Sequence, residues 1–162
     1  MRSLQKVAMQ SMVMGLALVT AMVAAESVPF TGRDMGTFTS APTDKGQAVL
    51  TMDSASGEAT HLGRYTLSAH ETITLATLDV TGGAFTITDA KGDTLTGEYS
   101  GKAFTTETPT ILRYEVSGPI TGGTGRFADA HGMIAFFGFA DLQSGRLSET
   151  FLAVRESCDG DR

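Results

Sequence analysis

Ala84-Phe85-Thr86-Ile87-Thr88-Asp89-Ala90-Lys91-Gly92-Asp93-Thr94-Leu95-Thr96-Gly97-Glu98-Tyr99 is the stretch that decides the fold class. Phe85 and Ile87 alternate with threonines before the turn, and Leu95 and Tyr99 do the same after it. A period of two places large residues on one face and Thr or Glu on the other, which is the pattern of a half-buried strand. Between the two runs, Lys91-Gly92-Asp93 supplies the positive-φ residue that a short hairpin loop needs. The segment predicts two antiparallel strands.

The same pattern recurs outward from this hairpin. Runs rich in Thr, Val, Ile, Phe and Tyr at 30–39, 48–53, 58–68, 72–78, 111–116, 132–142 and 146–154 are separated by Gly, Asp, Ser and Lys. With the hairpin they make about nine candidate strands, two of which can be one bent strand. No sustained helical period follows Glu26. Many short strands with short connections predict an all-β domain, a single antiparallel closed β-barrel of about eight strands, because closure removes exposed edges. A β-sandwich is the competing architecture. Short turns leave few crossovers for a Greek key. Gly63, Gly97 and Gly138 fall inside strand runs, where bends ease curvature.

The first 25 residues read differently. Arg2 and Lys6 precede an apolar run that ends in Val23-Ala24-Ala25, and no acidic residue occurs before Glu26. This is the pattern of a signal peptide cleaved near Ala25, so the chain is expected to be secreted or periplasmic. Gln10 and Ser11 interrupt the run, so no stable membrane insertion is expected after cleavage. The barrel domain is then expected over 26–155, with a polar C-terminal tail at 156–162.

Composition excludes some functions. The net charge is −6, and cleavage removes two basic residues and no acidic one, so no nucleic-acid partner is expected. The single cysteine, Cys158, lies in the polar tail and cannot form an internal disulfide. Gly122-Gly123-Thr124-Gly125-Arg126-Phe127 lacks the third glycine and the following helix of a dinucleotide site, and reads as a tight turn before a strand. No serine-nucleophile elbow, zinc-protease helix or phosphate loop occurs, and no cofactor is expected. His61, His70 and His131 lie on or near different strands with no ligand spacing, so no metal is expected either.

Ligand-binding candidates come from polar residues on strands. Tyr65, Tyr99 and Tyr114 are the only tyrosines, and each fits the apolar parity of its own run. They either fill the barrel interior or line a cavity with their hydroxyls as polar handles. Strict alternation sets His61 with Tyr65 and Leu67, and Arg64 opposite them. A bulge at Gly63 would turn Arg64 inward, where Glu98, Glu115 or Glu149 could pair with it. Without that bulge Arg64 is a solvated outer-face residue, as arginine usually is.

Met133-Ile134-Ala135-Phe136-Phe137-Gly138-Phe139-Ala140 is apolar at both parities. Either a loop or terminus covers its outer face, or that face is a contact within a homo-oligomer.

The turn Gly122-Gly123-Thr124-Gly125-Arg126-Phe127-Ala128, followed by Ala130 and Gly132, resembles the turn-and-strand signature of allene oxide cyclase-like barrels. That superfamily includes plant dirigent proteins, which carry a similar Gly-Gly-Thr-Gly-Lys-Phe turn. Together with Ala59-Thr60-His61-Leu62-Gly63-Arg64-Tyr65-Thr66 and Gly92-Asp93-Thr94-Leu95-Thr96-Gly97, the chain is similar to small, exported, uncharacterised bacterial proteins of this barrel type. The resemblance runs over 57–154 and implies the barrel. It carries over no set of catalytic residues, because the superfamily includes cyclases, guides of radical coupling and proteins without known role.

Three functions remain open on this reading. The first is binding of a small apolar molecule in the barrel. The second is an isomerase or cyclase-type enzyme that confines a reactive substrate and uses a buried, shifted acid or base. The third is a non-catalytic partner-binding surface protein using the 133–140 strand.

Overall fold

The structure is a computed structural model that describes residues 26–43 and 45–157. The expected signal segment and Cys158 lie outside the described residues. Eight strands follow one another in order: β1 (Glu26–Pro42), β2 (Ala48–Ala59), β3 (Gly63–Thr74), β4 (Asp79–Asp89), β5 (Thr94–Thr105), β6 (Ile111–Gly123), β7 (His131–Asp141) and β8 (Arg146–Ser157). Each pairs antiparallel with its sequence neighbour, and β8 returns to β1, so the sheet is a closed meander barrel. A sandwich is excluded. β8 continues two residues beyond the expected domain boundary, and Glu156 still pairs with Ser27.

The expected 58–68 and 72–78 strands are each cut by a turn. Residues 60–62 form the β2–β3 turn and 75–77 the β3–β4 turn, so nine apparent runs become eight strands. Gly63 marks the first of these turns at φ 72°, next to His61 at φ 63°. A turn glycine, rather than a mid-strand bulge, is what that left-handed backbone calls for. Gly92 adopts φ 90° in the β4–β5 hairpin, as its sequence context predicts.

One end of the barrel is filled. Phe151, fully buried, sits edge-on to Phe30, Tyr65 and Phe136 at ring separations of 5.7, 5.7 and 5.8 Å. Edge-to-face rings of this kind add about 0.5–1.5 kcal/mol per pair beyond their burial. Leu62 and Phe127, both buried, close this end from the connecting segments. Arg126, on a short 3-10 turn (Gly125–Phe127), ties the connections together. Its guanidinium donates to Asp89 at 2.7 and 3.0 Å and to the His61 carbonyl at 3.0 Å. Burial alone would raise the Asp89 carboxyl, but the Lys91 N–H, the Arg126 guanidinium and the Asp93 N–H hold it below its ordinary value.

Candidate functional site

The other end is open. The 75–78, 106–110 and 142–145 connections join strand ends there and contribute Leu75, Leu78, Pro109 and Leu142 to the lining of a cavity of about 330 Å³. Its walls are mostly apolar, with Leu67, Ile73, Val80, Val116, Phe136 and Leu147 among them. Set into these walls at mid-height, with Leu67, Val116 and Phe136 on their far side, are Asp53, Glu71, Glu149, Tyr99 and Tyr114. Asp34 is buried just behind them.

The polar groups follow one geometric rule, in which a tyrosine reaches across a glycine to a carboxyl two strands away. Tyr114 on β6 faces Gly138 on β7, which faces Glu149 on β8. A Cβ at Gly138 would collide with the Tyr114 ring, so the missing side chain is what lets the ring lie flat across β7. The Tyr114 hydroxyl then donates to Glu149 at 2.8 Å. On the far side of the same row, Tyr65 on β3 faces Gly57 on β2, which faces Asp34 on β1. The Tyr65 hydroxyl donates to Asp34 at 2.5 Å. Tyr99 on β5 lies over Gly83 on β4 and donates to Glu71 on β3 at 2.6 Å.

Asp34 and Glu149 are themselves cross-strand partners where β1 meets β8. Both keep one buried oxygen, Oδ1 and Oε1, with no hydrogen-bond partner among the protein's own donors. Burial raises both carboxyls. For Glu149 the neighbouring Asp34 charge adds to the rise, and the Tyr114 bond opposes it. A proton held on Glu149 and accepted by Asp34 satisfies both orphaned atoms.

Asp53 and Glu71 form a second pair, on β2 and β3. Burial, then the charge and hydrogen bond of Glu71, pushes Asp53 up to about 8. Burial also raises Glu71, against the bonds from Tyr99 and Asp53. Two acids this close do not both ionise readily. Burial and the adjacent carboxylates raise all three tyrosines, which stay protonated donors.

The structure therefore brings together four of the eight residues named from sequence: Tyr65, Tyr99, Tyr114 and Glu149. The other four face away. His61 stands exposed in the β2–β3 turn, and Arg64 is exposed on the outer face of β3, the turn at Gly63 having removed the bulge that would invert it. Glu98 is exposed on β5, and Glu115 is exposed on β6 beside Arg113. Asp34, Asp53 and Glu71 were missed, although each shares the inward parity of its neighbours: Phe30 for Asp34, Thr51 for Asp53, Leu67 and Ile73 for Glu71. Among the described residues no group of three or more His, Cys, Asp or Glu is arranged to hold a metal ion.

No protein-family model matches the chain, and no curated protein matches it in sequence. Fold and site together describe a closed eight-stranded barrel with one filled end and one open, mostly apolar cavity that carries acid groups in its wall.

Proposed function

We propose that this protein binds a small, largely apolar molecule inside the open end of the barrel. The observation that carries this reading is the cavity of about 330 Å³ with predominantly apolar walls and a few convergent polar groups, the usual composition of a small-molecule site. Export before binding, as the N-terminal segment suggests, would set the ligand in the periplasm or the surrounding medium. No helix among the described residues is long and apolar enough to cross a membrane. Titration with 1-octanol, followed by methyl NMR, tests the reading. Saturable shifts at Ile73, Val80, Val116 and Leu147 are expected, and unchanged methyls at these positions would overturn it.

Catalysis of the isomerase or cyclase type, which the likeness to allene oxide cyclase-like barrels also suggests, is favoured by the raised carboxyls in the cavity wall. A carboxylic acid such as Asp53 that keeps its proton near neutrality beside an apolar cavity is a general acid in waiting. Recovery of a loaded ligand in altered form would distinguish this from binding alone.

Contact with a second copy is favoured by the outer face of β7 and β8. Met133, Phe137 and Phe139 are 55%, 49% and 51% exposed, beside Leu152 and Val154 on β8. The outward positions 133–139 of β7 and 148–154 of β8 carry no charge. On an acidic chain, such a face is where two copies meet with least repulsion, and charge depletion is typical of an interface core.

A further inference from the structure

We infer that the cavity selects an apolar amine, whose ammonium group seats against the acid groups in its wall while its carbon tail lies against the apolar lining. This deepens the binding reading above and rests on it. The argument starts from sign. Asp53 on β2, Glu71 on β3 and Glu149 on β8 line one cavity, Asp34 on β1 is paired with Glu149 behind it, and no Lys, Arg or His lines the cavity among the described residues. The tyrosine hydroxyls of β3, β5 and β6 serve three of the four carboxyls. β4 and β7 present no titratable group to this cavity, since Asp89 lies at the filled end with Arg126. His70 stands exposed on the outer face of β3 and does not line the cavity.

Two features point to a ligand rather than to a self-contained network. Asp53 lines the cavity and, among the described residues, receives no hydrogen bond from a tyrosine or a backbone N–H; the group it bonds is another acid, Glu71, and the Asp34 charge acts on it as well. Glu149, half-buried and also lining the cavity, has a shielded Oε1 that no donor group of the protein serves, only the proton shared with Asp34. Acid groups with spare acceptor capacity call for donors. Their own protons serve, and an ammonium, with three N–H donors and a positive charge, serves better. The exchange balances as follows: R-NH3⁺ enters, one carboxyl gives up its proton to solvent, and a charge-assisted N–H···O bond forms. A carboxylate-bearing ligand would meet like charge and is rejected.

Three probes of the same length separate the outcomes: octylamine, 1-octanol and octanoate, titrated calorimetrically into the full chain in two buffers of different ionisation enthalpy. Octylamine is expected to bind about tenfold or more tighter than 1-octanol at pH 8. Its binding should release protons and weaken as pH falls from 8 to 6, while octanoate should bind weakest. Equal affinities for octylamine and 1-octanol, or no proton release, would overturn the amine inference and leave the apolar cavity standing. Failure of both to bind would overturn the cavity reading as well. The isosteric variants Asp53→Asn and Glu149→Gln should each lose the preference for amine while keeping 1-octanol affinity. A preference unchanged in both variants would also overturn the inference.

Discussion

Asp34 and Glu149 stand directly opposite each other on the first and last strands of the barrel, and each holds an orphaned oxygen that a single shared proton satisfies. The barrel seam thus sets one acid pair among apolar inward residues such as Phe30, Leu147, Phe151 and Ala153. Its members are positioned by tyrosines from opposite directions, Tyr65 across Gly57 and Tyr114 across Gly138. Most of what can be tested about this protein follows from that row.

Stability should fall as pH rises. Buried carboxyls with raised values bind protons more tightly in the folded than in the unfolded chain. Their contribution is therefore full below the ordinary carboxylate range near 4 and is lost as pH climbs toward the folded value, about 8 for Asp53. Each carboxyl that stays protonated only when folded gives a slope of about 1.4 kcal/mol per pH unit in that window. Urea denaturation at pH 5 and pH 8 should show the lower midpoint at pH 8. Asp53→Asn should flatten the difference, and a pH-independent midpoint in the parent chain would count against the whole assignment.

Tyr114→Phe removes the donor to Glu149 and leaves its Oε2 unserved. A cost of about 1–3 kcal/mol is expected, the usual penalty for a buried polar group that loses its partner. The Glu149 carboxyl, freed of a bond that holds it down, should titrate higher still by carboxyl NMR. A neutral substitution would mean that water already serves this oxygen.

Gly138→Ala tests the bridging geometry without touching a polar group. The new methyl meets the Tyr114 ring and hydroxyl and backbone on β8, so the ring must move off β7. We expect a loss of about 1–3 kcal/mol, in the range of overpacked cores. The shift of Glu149 seen in Tyr114→Phe should reappear. An unchanged melting temperature would show that the ring has room to spare.

The outer face of β7 makes a separate prediction. Sedimentation of the parent chain should show self-association, and the double variant Phe137→Lys, Phe139→Lys should sediment as a monomer with little change in melting temperature. Both side chains point outward and half-exposed, so the barrel core does not depend on them. A monomeric parent chain at micromolar concentration would remove the contact reading.

The barrel was legible in the sequence because alternation repeats along the whole chain, and the Phe85–Tyr99 hairpin displays it with its turn glycine in place. Boundaries were less so. Gly63 reads as mid-strand until its φ of 72° places it in a turn, and the polar stretch 69–71 looks like a break although it continues β3. The same misplacement hid part of the site. Asp53 stood at a run's end and Glu71 in the gap between two runs, so neither was tested for inward parity. Glu98 and Glu115 sat in clear strands but at outward positions, which parity against Tyr99 and Tyr114 already implied. The tyrosine–glycine–carboxyl rows were beyond reach, because they depend on the register between strands that only the closed barrel fixes.

In a meander, β1 and β8 are the last edges to find each other, since every other pairing joins neighbours in sequence. An unfinished sheet at neutral pH would thus carry inward-pointing negative charge on both open edges, at Asp34 and Glu149. Such edges resist joining the edges of other chains, as inward charges on exposed strands do. Closure onto the correct partner takes up a proton. The seam thereby makes self-recognition of the chain's two ends a proton-consuming step, and folding itself becomes an acid-assisted reaction.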